Sequence, residues 1–127
     1  MNRYWVGGSG VWDWGDTSHW SESSGGVGGA SVPTEEDDVY IDSNSGFDSG
    51  GKITVSHNGS CKDFTCTSGH TYTIQEDSYG SIYVNGSVEL EPGITWGSNL
   101  GLILSGGGTI KTNGVKLSYI NIGIIYA

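Results

Sequence analysis

The chain has 127 residues, among them 23 glycines and 2 prolines, with 15% charged residues and a formal net charge of −9. That length suits one domain with a modest core, and so much glycine with so little charge suits short strands and tight turns rather than helices. Five basic residues against 14 acids leave no basic stripe for nucleic acid, and the longest apolar stretch, residues 120–127, is too short to span a bilayer.

Taken in chain order, residues 4–42 come first. They hold four of the five tryptophans, Trp5, Trp12, Trp14 and Trp20, in a background of glycine, serine and acids. An indole buries a large apolar area and still seeks an acceptor for its N–H, so such a cluster implies an organised surface. It is either a plug that packs or a platform that binds. Nine of the acids also precede residue 50, against Arg3 as the one base there. No charged-then-apolar leader opens the chain, so no cleaved secretory signal is expected in it.

From residue 52 onward, short alternating runs are closed by glycine. Ile53/Val55, Phe64/Cys66, Tyr72/Ile74, Ile82/Val84, Val88/Leu90, Ile94/Trp96, Leu102/Leu104 and Val115/Leu117 fall at period two, the pattern of strands with one buried face. Asn-Gly pairs at 58–59, 85–86 and 113–114 read as turns. No window carries the helical spacing of apolar residues, so almost no helix is expected. Two architectures fit, a β-sandwich of hairpins and a solenoid. Ile82-Val84-Asn85-Gly86 aligns with Leu102-Leu104-Ser105-Gly106 at an offset of 20, and Val88-Leu90 with Ile110-Thr112 at an offset of 22. Those offsets match one coil of a repeat protein and favour the solenoid. The register predicts Ile82, Val84, Val88, Leu90, Leu102 and Leu104 inward, with Tyr83, Glu89 and Glu91 outward.

The opening "RYWVGGSGVWDW", followed by "SHWS", "SGGVGGASVPTEEDDVYID", "SCKDFTCTS" and "SIYVNGSVELEPGITW", resembles glycine-rich β-helix structural proteins of tailed bacteriophages and bacterial surface layers. In that family a Trp-x-Gly-Gly-x-Gly-x-Trp module precedes right-handed coils. The resemblance implies an all-β fold, a short right-handed parallel β-helix, with residues 1–50 as an N-terminal Trp/Gly-rich cap and 51–127 as coils. It also implies a virion or cell-surface setting, as a tail-fibre, tail-associated or decoration component.

A solenoid leaves an open coil edge and an exposed core at its N-terminal end, and a tryptophan-rich loop is a suitable lid. The sharper alternative is a glycan site in which Trp12, Trp14 and Trp20 stack on sugar rings while Asp13, Asp16 and His19 bind hydroxyls. Only solvent exposure separates the two. Asp37, Asp38, Asp42 and Asp48 offer hard oxygen ligands that calcium would take. Their spacing fits neither an EF-hand nor a Gly-Asp nonapeptide repeat, so loop solvation and strand capping are the preferred reading and no cofactor is expected. Cys61 and Cys66 are not spaced for zinc and His19, His57 and His70 are scattered, which leaves buried free thiols. Asn58 and Asn85 open Asn-Gly-Ser sequons that matter only where a glycosylating machinery is met.

Catalysis has little support. Polysaccharide elimination needs a cationic base beside calcium, whereas the one arginine, Arg3, lies in the expected cap, and no spacing selects a hydrolytic pair among Asp63, Glu76, Asp77, Glu89 and Glu91. The C-terminal run carries no acid after Glu91 and no base after Lys116. Its residues Leu117, Tyr119, Ile120, Ile122, Ile124 and Ile125 form an unprotected edge, and residues 115–127 are expected to be buried against a neighbouring copy. The function expected is that of a non-enzymatic structural protein working through self-association, as a homo-oligomer or fibre. A carbohydrate-binding adhesin module is the alternative, and a polysaccharide-degrading enzyme ranks last.

Overall fold

The computed structural model describes residues 1–117 and 119–122, apart from the side chains of Tyr79, Tyr119, Asn121 and Ile122. Within them the chain is all-β: β1 (Asn2–Trp5), β2 (Gly10–Trp12), β3 (Trp20–Ser21), β4 (Asp38–Ile41), β5 (Lys52–Cys61), β6 (Phe64–Cys66), β7 (Tyr72–Val84), β8 (Val88–Glu89), β9 (Ile94–Trp96), β10 (Leu100–Leu104), β11 (Ile110–Lys111) and β12 (Tyr119–Ile122). No helix among the described residues is long and apolar enough to cross a membrane.

One sheet runs in the order β11-β8-β6-β4-β1-β3 and the other β12-β10-β7-β5-β2, with β9 also on β7. Strands of the two sheets largely alternate along the chain, and all but β3 pair in parallel with the strand one coil away, which makes a β-solenoid of about three turns. The expected offsets are the observed registers. Leu102 lies beside Ile82 and Ile110 beside Val88. Parallel pairing rules out the sandwich of hairpins. Side chains stack in columns up the axis, Val39–Phe64–Val88–Ile110 on one side and Ile53–Ile74–Trp96 on another. Ile82, Val84, Val88, Leu90, Leu102 and Leu104 are all buried as predicted, and each such side chain contributes about 1.5–3 kcal/mol by leaving water.

Corners are aligned by a side-chain ladder. Asp63 N donates to Asp38 Oδ1 (3.2 Å), Ser87 N to Asp63 Oδ1 (2.8 Å), and Thr109 N to Ser87 Oγ (3.0 Å). Each coil thus satisfies a backbone N–H of the next at the point where the chain enters the first sheet. This is a use of acids and hydroxyls typical of turns.

Three expectations need correction. Asn58-Gly59 is not a turn but lies inside β5, and Tyr72–Val84 forms one long strand where the sequence suggested two. Lys52–Val55 pairs with Thr73–Glu76, and after a register shift His57–Cys61 pairs with Gly80–Val84. His57 sits at that shift with a φ of 68°, so β5 turns the corner through a bulge rather than by breaking off. Gly80 serves the same corner, since a Cβ there would meet the His57 carbonyl oxygen at 2.5 Å. The third correction is Glu91, which is buried rather than outward. Asn113-Gly114 does form the expected turn, with φ of 51° and 91°.

Candidate functional site

The N-terminal end is closed by a lid narrower than residues 1–50. Strands β1 and β2 already belong to a coil, being parallel to β4 and β5, and only the intervening 13–37 departs from it. On the way back β3 pairs antiparallel with β1, placing Trp20 beside Trp5. Trp5, Trp12 and Trp20 are 0%, 1% and 0% exposed. Trp20 meets Trp5 edge-on (centroids 5.2 Å, 89°) and Trp12 at 5.1 Å and 70°. Trp12 also reaches Phe64 of the second coil, 6.0 Å between centroids.

Room for Trp12 comes from Gly59, whose position in the ladder is an inward one. A Cβ there would lie 2.6 Å from the Trp12 indole. Trp5 Nε1 donates to the Gly8 carbonyl (2.7 Å), whereas the indole nitrogens of Trp12 and Trp20 have no protein acceptor and are held by packing. Arg3 heads the Val39 column, buried, with Nε on the Ser31 carbonyl (2.7 Å) and Nη2 on the Ser31 hydroxyl (2.6 Å).

The six residues considered for a sugar platform do not form one. Trp12 and Trp20 are inside the lid, and His19 stacks on Trp5 (4.6 Å, 6°) with Nδ1 2.6 Å from the Val6 carbonyl. Trp14 alone presents a ring to solvent, 73% exposed, on the turn closed by Asp16 N and the Asp13 carbonyl (3.0 Å). The flanking carboxylates serve their own loop. Asp13 Oδ1 accepts from Gly15 N (3.3 Å), and Asp16 Oδ1 from the Ser18 hydroxyl and N–H (2.6 and 2.9 Å). Those two Ser18 bonds hold the Asp16 carboxyl below the usual carboxylate range.

Asp37, Asp38, Asp42 and Asp48 are likewise kept apart by separate tasks. Asp38 belongs to the corner ladder. Asp37 accepts from Thr34 N (2.9 Å), and although burial opposes its charge, bonds from Thr34 and the chain's amino terminus keep its carboxyl low. Asp42 accepts from the Ser24 hydroxyl (2.6 Å) and Asn44 N (3.0 Å). Asp48 stands exposed beside His70, 3.5 Å away. Among the described residues no group of three or more His, Cys, Asp or Glu is placed to hold a metal ion. Adding a chelator should therefore shift the melting temperature by less than about 1 °C, since only a ligand that prefers the folded state raises it. A fall that calcium reverses and magnesium does not would contradict this.

The polar residue that sequence reasoning missed is Glu91. Its carboxylate accepts from Ser68 N (3.0 Å), Ser68 Oγ (2.9 Å), Gly69 N (2.7 Å) and Tyr72 Oη (2.7 Å). It thereby ties the corner of one coil to the corner of the next. Burial, with Cys66 and Glu91 alongside, pushes the Tyr72 hydroxyl far above the usual tyrosine range, so it stays a donor. The one signal for this role was Pro92-Gly93, which marks a corner where strand alternation stops applying. Cys61 and Cys66 are both buried free thiols, and desolvation pushes both upward, which leaves them unreactive.

The far end is built differently. Strands β11 and β12 are the outer strands of the two sheets among the described residues. Ile120 continues the column of Ile82 and Leu102, yet it is 46% exposed where those two are 0%. Of the expected assembly edge, Leu117 packs against the core, while Tyr119, Ile120 and Ile122 belong to β12. Ile124 and Ile125 lie outside the described residues. Lys111 and Lys116 flank this end, both exposed. Sequence and fold match no family model, no curated protein and no solved structure.

Proposed function

We propose that this protein is a non-enzymatic structural component of a virion or cell surface that assembles with copies of itself through the C-terminal end of its solenoid. The observation that carries this reading is the contrast between the two ends. One is plugged by three buried indoles and an antiparallel strand. At the other, a residue of the core column, Ile120, meets solvent at the edge of a parallel sheet. Of the two strands at this end β11 carries the exposed Lys111 but β12 carries neither charge nor proline, and an edge of that kind takes up further strands; stacking of another copy there would bury the exposed end of the column. The virion or surface setting rests on the resemblance of the Trp-Gly-Gly opening. Of the five acids considered for a hydrolytic pair, Asp63 and Glu91 are engaged with backbone N–H groups of the neighbouring coil, which fits a scaffold better than a hydrolase.

Sedimentation of the intact chain and of Ile120→Lys tests the proposal. The intact chain should form oligomers, and the variant should associate about tenfold more weakly or worse, a change of about 1.4 kcal/mol. Its melting temperature as a monomer should hold, because the substituted side chain is already half in water. An intact chain that sediments as a monomer would overturn the reading.

A further inference from the structure

Across the outer side of the second sheet runs a groove of about 650 Å³ that draws its walls from four neighbouring strands, β5, β7, β10 and, through Ile120, β12. Asn58 of β5, Ser81 of β7 and Gly101 of β10 lie in register along it. Their neighbours Ile82 and Leu102 are fully buried, so by strand alternation this row faces outward. Gly101 is buried beneath the Ser81 hydroxyl and adds no side chain, so an amide and a hydroxyl make a low floor. Tyr83, 39% exposed, borders it beside Ile103, and Asn99 stands at the rim.

The lining selects a ligand class. None of its residues is charged, in a chain of net charge −9, so an anion finds no cation and a cation no carboxylate. Strands β7 and β10 are hydrogen-bonded on both sides, so a peptide could not add as a strand at the middle of the groove. A wholly apolar ligand would strip water from Asn58 and Ser81 without replacing its hydrogen bonds. What remains is a neutral molecule with many hydroxyls and an apolar ring face. The Asn58 amide is already oriented, because its Oδ1 accepts from Ser81 N at 3.1 Å. That bond leaves the amide N–H groups to donate.

We propose that this groove binds an uncharged oligosaccharide, with the Tyr83 ring against a sugar face and Asn58, Ser81 and Asn99 on its hydroxyls. The site is independent of the lid tryptophans, and it touches the proposed contact between copies only at Ile120, which lines its far end.

Titration calorimetry on the full chain tests it, with chitohexaose and maltohexaose as neutral probes and an oligogalacturonate as the charged one. At least one neutral hexasaccharide should bind and the oligogalacturonate should not. Tyr83→Ala should weaken binding about tenfold or more, and Asn58→Asp should weaken it while keeping an acceptor for Ser81 N. Both variants should melt where the parent does, and Trp14→Ala should bind as the parent does. Failure of both neutral probes to bind, preference for the charged one, or loss of binding in Trp14→Ala would overturn the proposal. So would a change of oligomeric state in Tyr83→Ala, which would show the groove to be a contact between copies.

Discussion

Replacing Glu91 by alanine should destabilise the fold by about 3–5 kcal/mol, because each buried donor left without a partner costs about 1–3 kcal/mol. The substitution strands Ser68 N, the Ser68 hydroxyl and the Tyr72 hydroxyl together. Ser68 and Tyr72 are 5% and 4% exposed, so water has little access to replace the carboxylate. A typical domain holds only about 5–15 kcal/mol in total. Melting should therefore fall by more than about 10 °C. Glu89, two residues away and exposed on the outer face, supplies the control, and its alanine variant should stay within about 0.5 kcal/mol of the parent. Glu91→Gln should fall between the two, since an amide keeps one accepting oxygen. Equal melting of the Glu89 and Glu91 alanine variants would show that the corner is not held by this carboxylate.

The second large effect is expected in the lid. Trp12→Ala should cost about 3–5 kcal/mol, the range for deleting a large buried aromatic. Gly59→Ala should cost about 1–3 kcal/mol for the opposite reason, overpacking. Its new methyl would press on the Trp12 ring at 2.6–2.8 Å, and Trp20 and Phe64 leave the indole nowhere to go. The two sites should be coupled. In the Trp12→Ala background, Gly59→Ala should be nearly neutral or stabilising, with an interaction energy of about 1–3 kcal/mol. If Gly59→Ala costs the same in both backgrounds, the glycine is there for its backbone and the plug is wrongly described.

Gly59 also shows where reading the sequence stops. Its pairing with Asn58 looked like a turn, and nothing local distinguishes a glycine that bends the chain from one that makes room for a tryptophan 47 positions earlier. The coil register was legible because Ile82/Val84 and Leu102/Leu104 repeat both spacing and chemistry, and solenoid neighbours are neighbours in sequence at a fixed offset. Glu91 was not, because alternation predicts its face only while the strand lasts, and the strand ends before Pro92. The lid tryptophans were recognisable as a cluster, but burial decides between plug and platform, and burial depends on β3 folding back over β1. The four early acids gave no sign in the sequence of the separate tasks they perform. Asp37 and Asp42 bond to backbone two or three residues away, but the place of Asp38 in the ladder depends on stacking between coils that no local spacing encodes.

The central claim is that the two ends of the solenoid differ, one sealed by indoles and the other used for assembly. Amide hydrogen exchange measured over a range of protein concentrations tests it most directly, because protection reports which backbone groups become paired. The account predicts that amides of β12, Tyr119–Ile122, slow markedly as concentration rises, while those of β3 and the 13–37 lid exchange at a constant rate. Protection that grows at the lid, or a β12 that exchanges equally fast at every concentration, would contradict it.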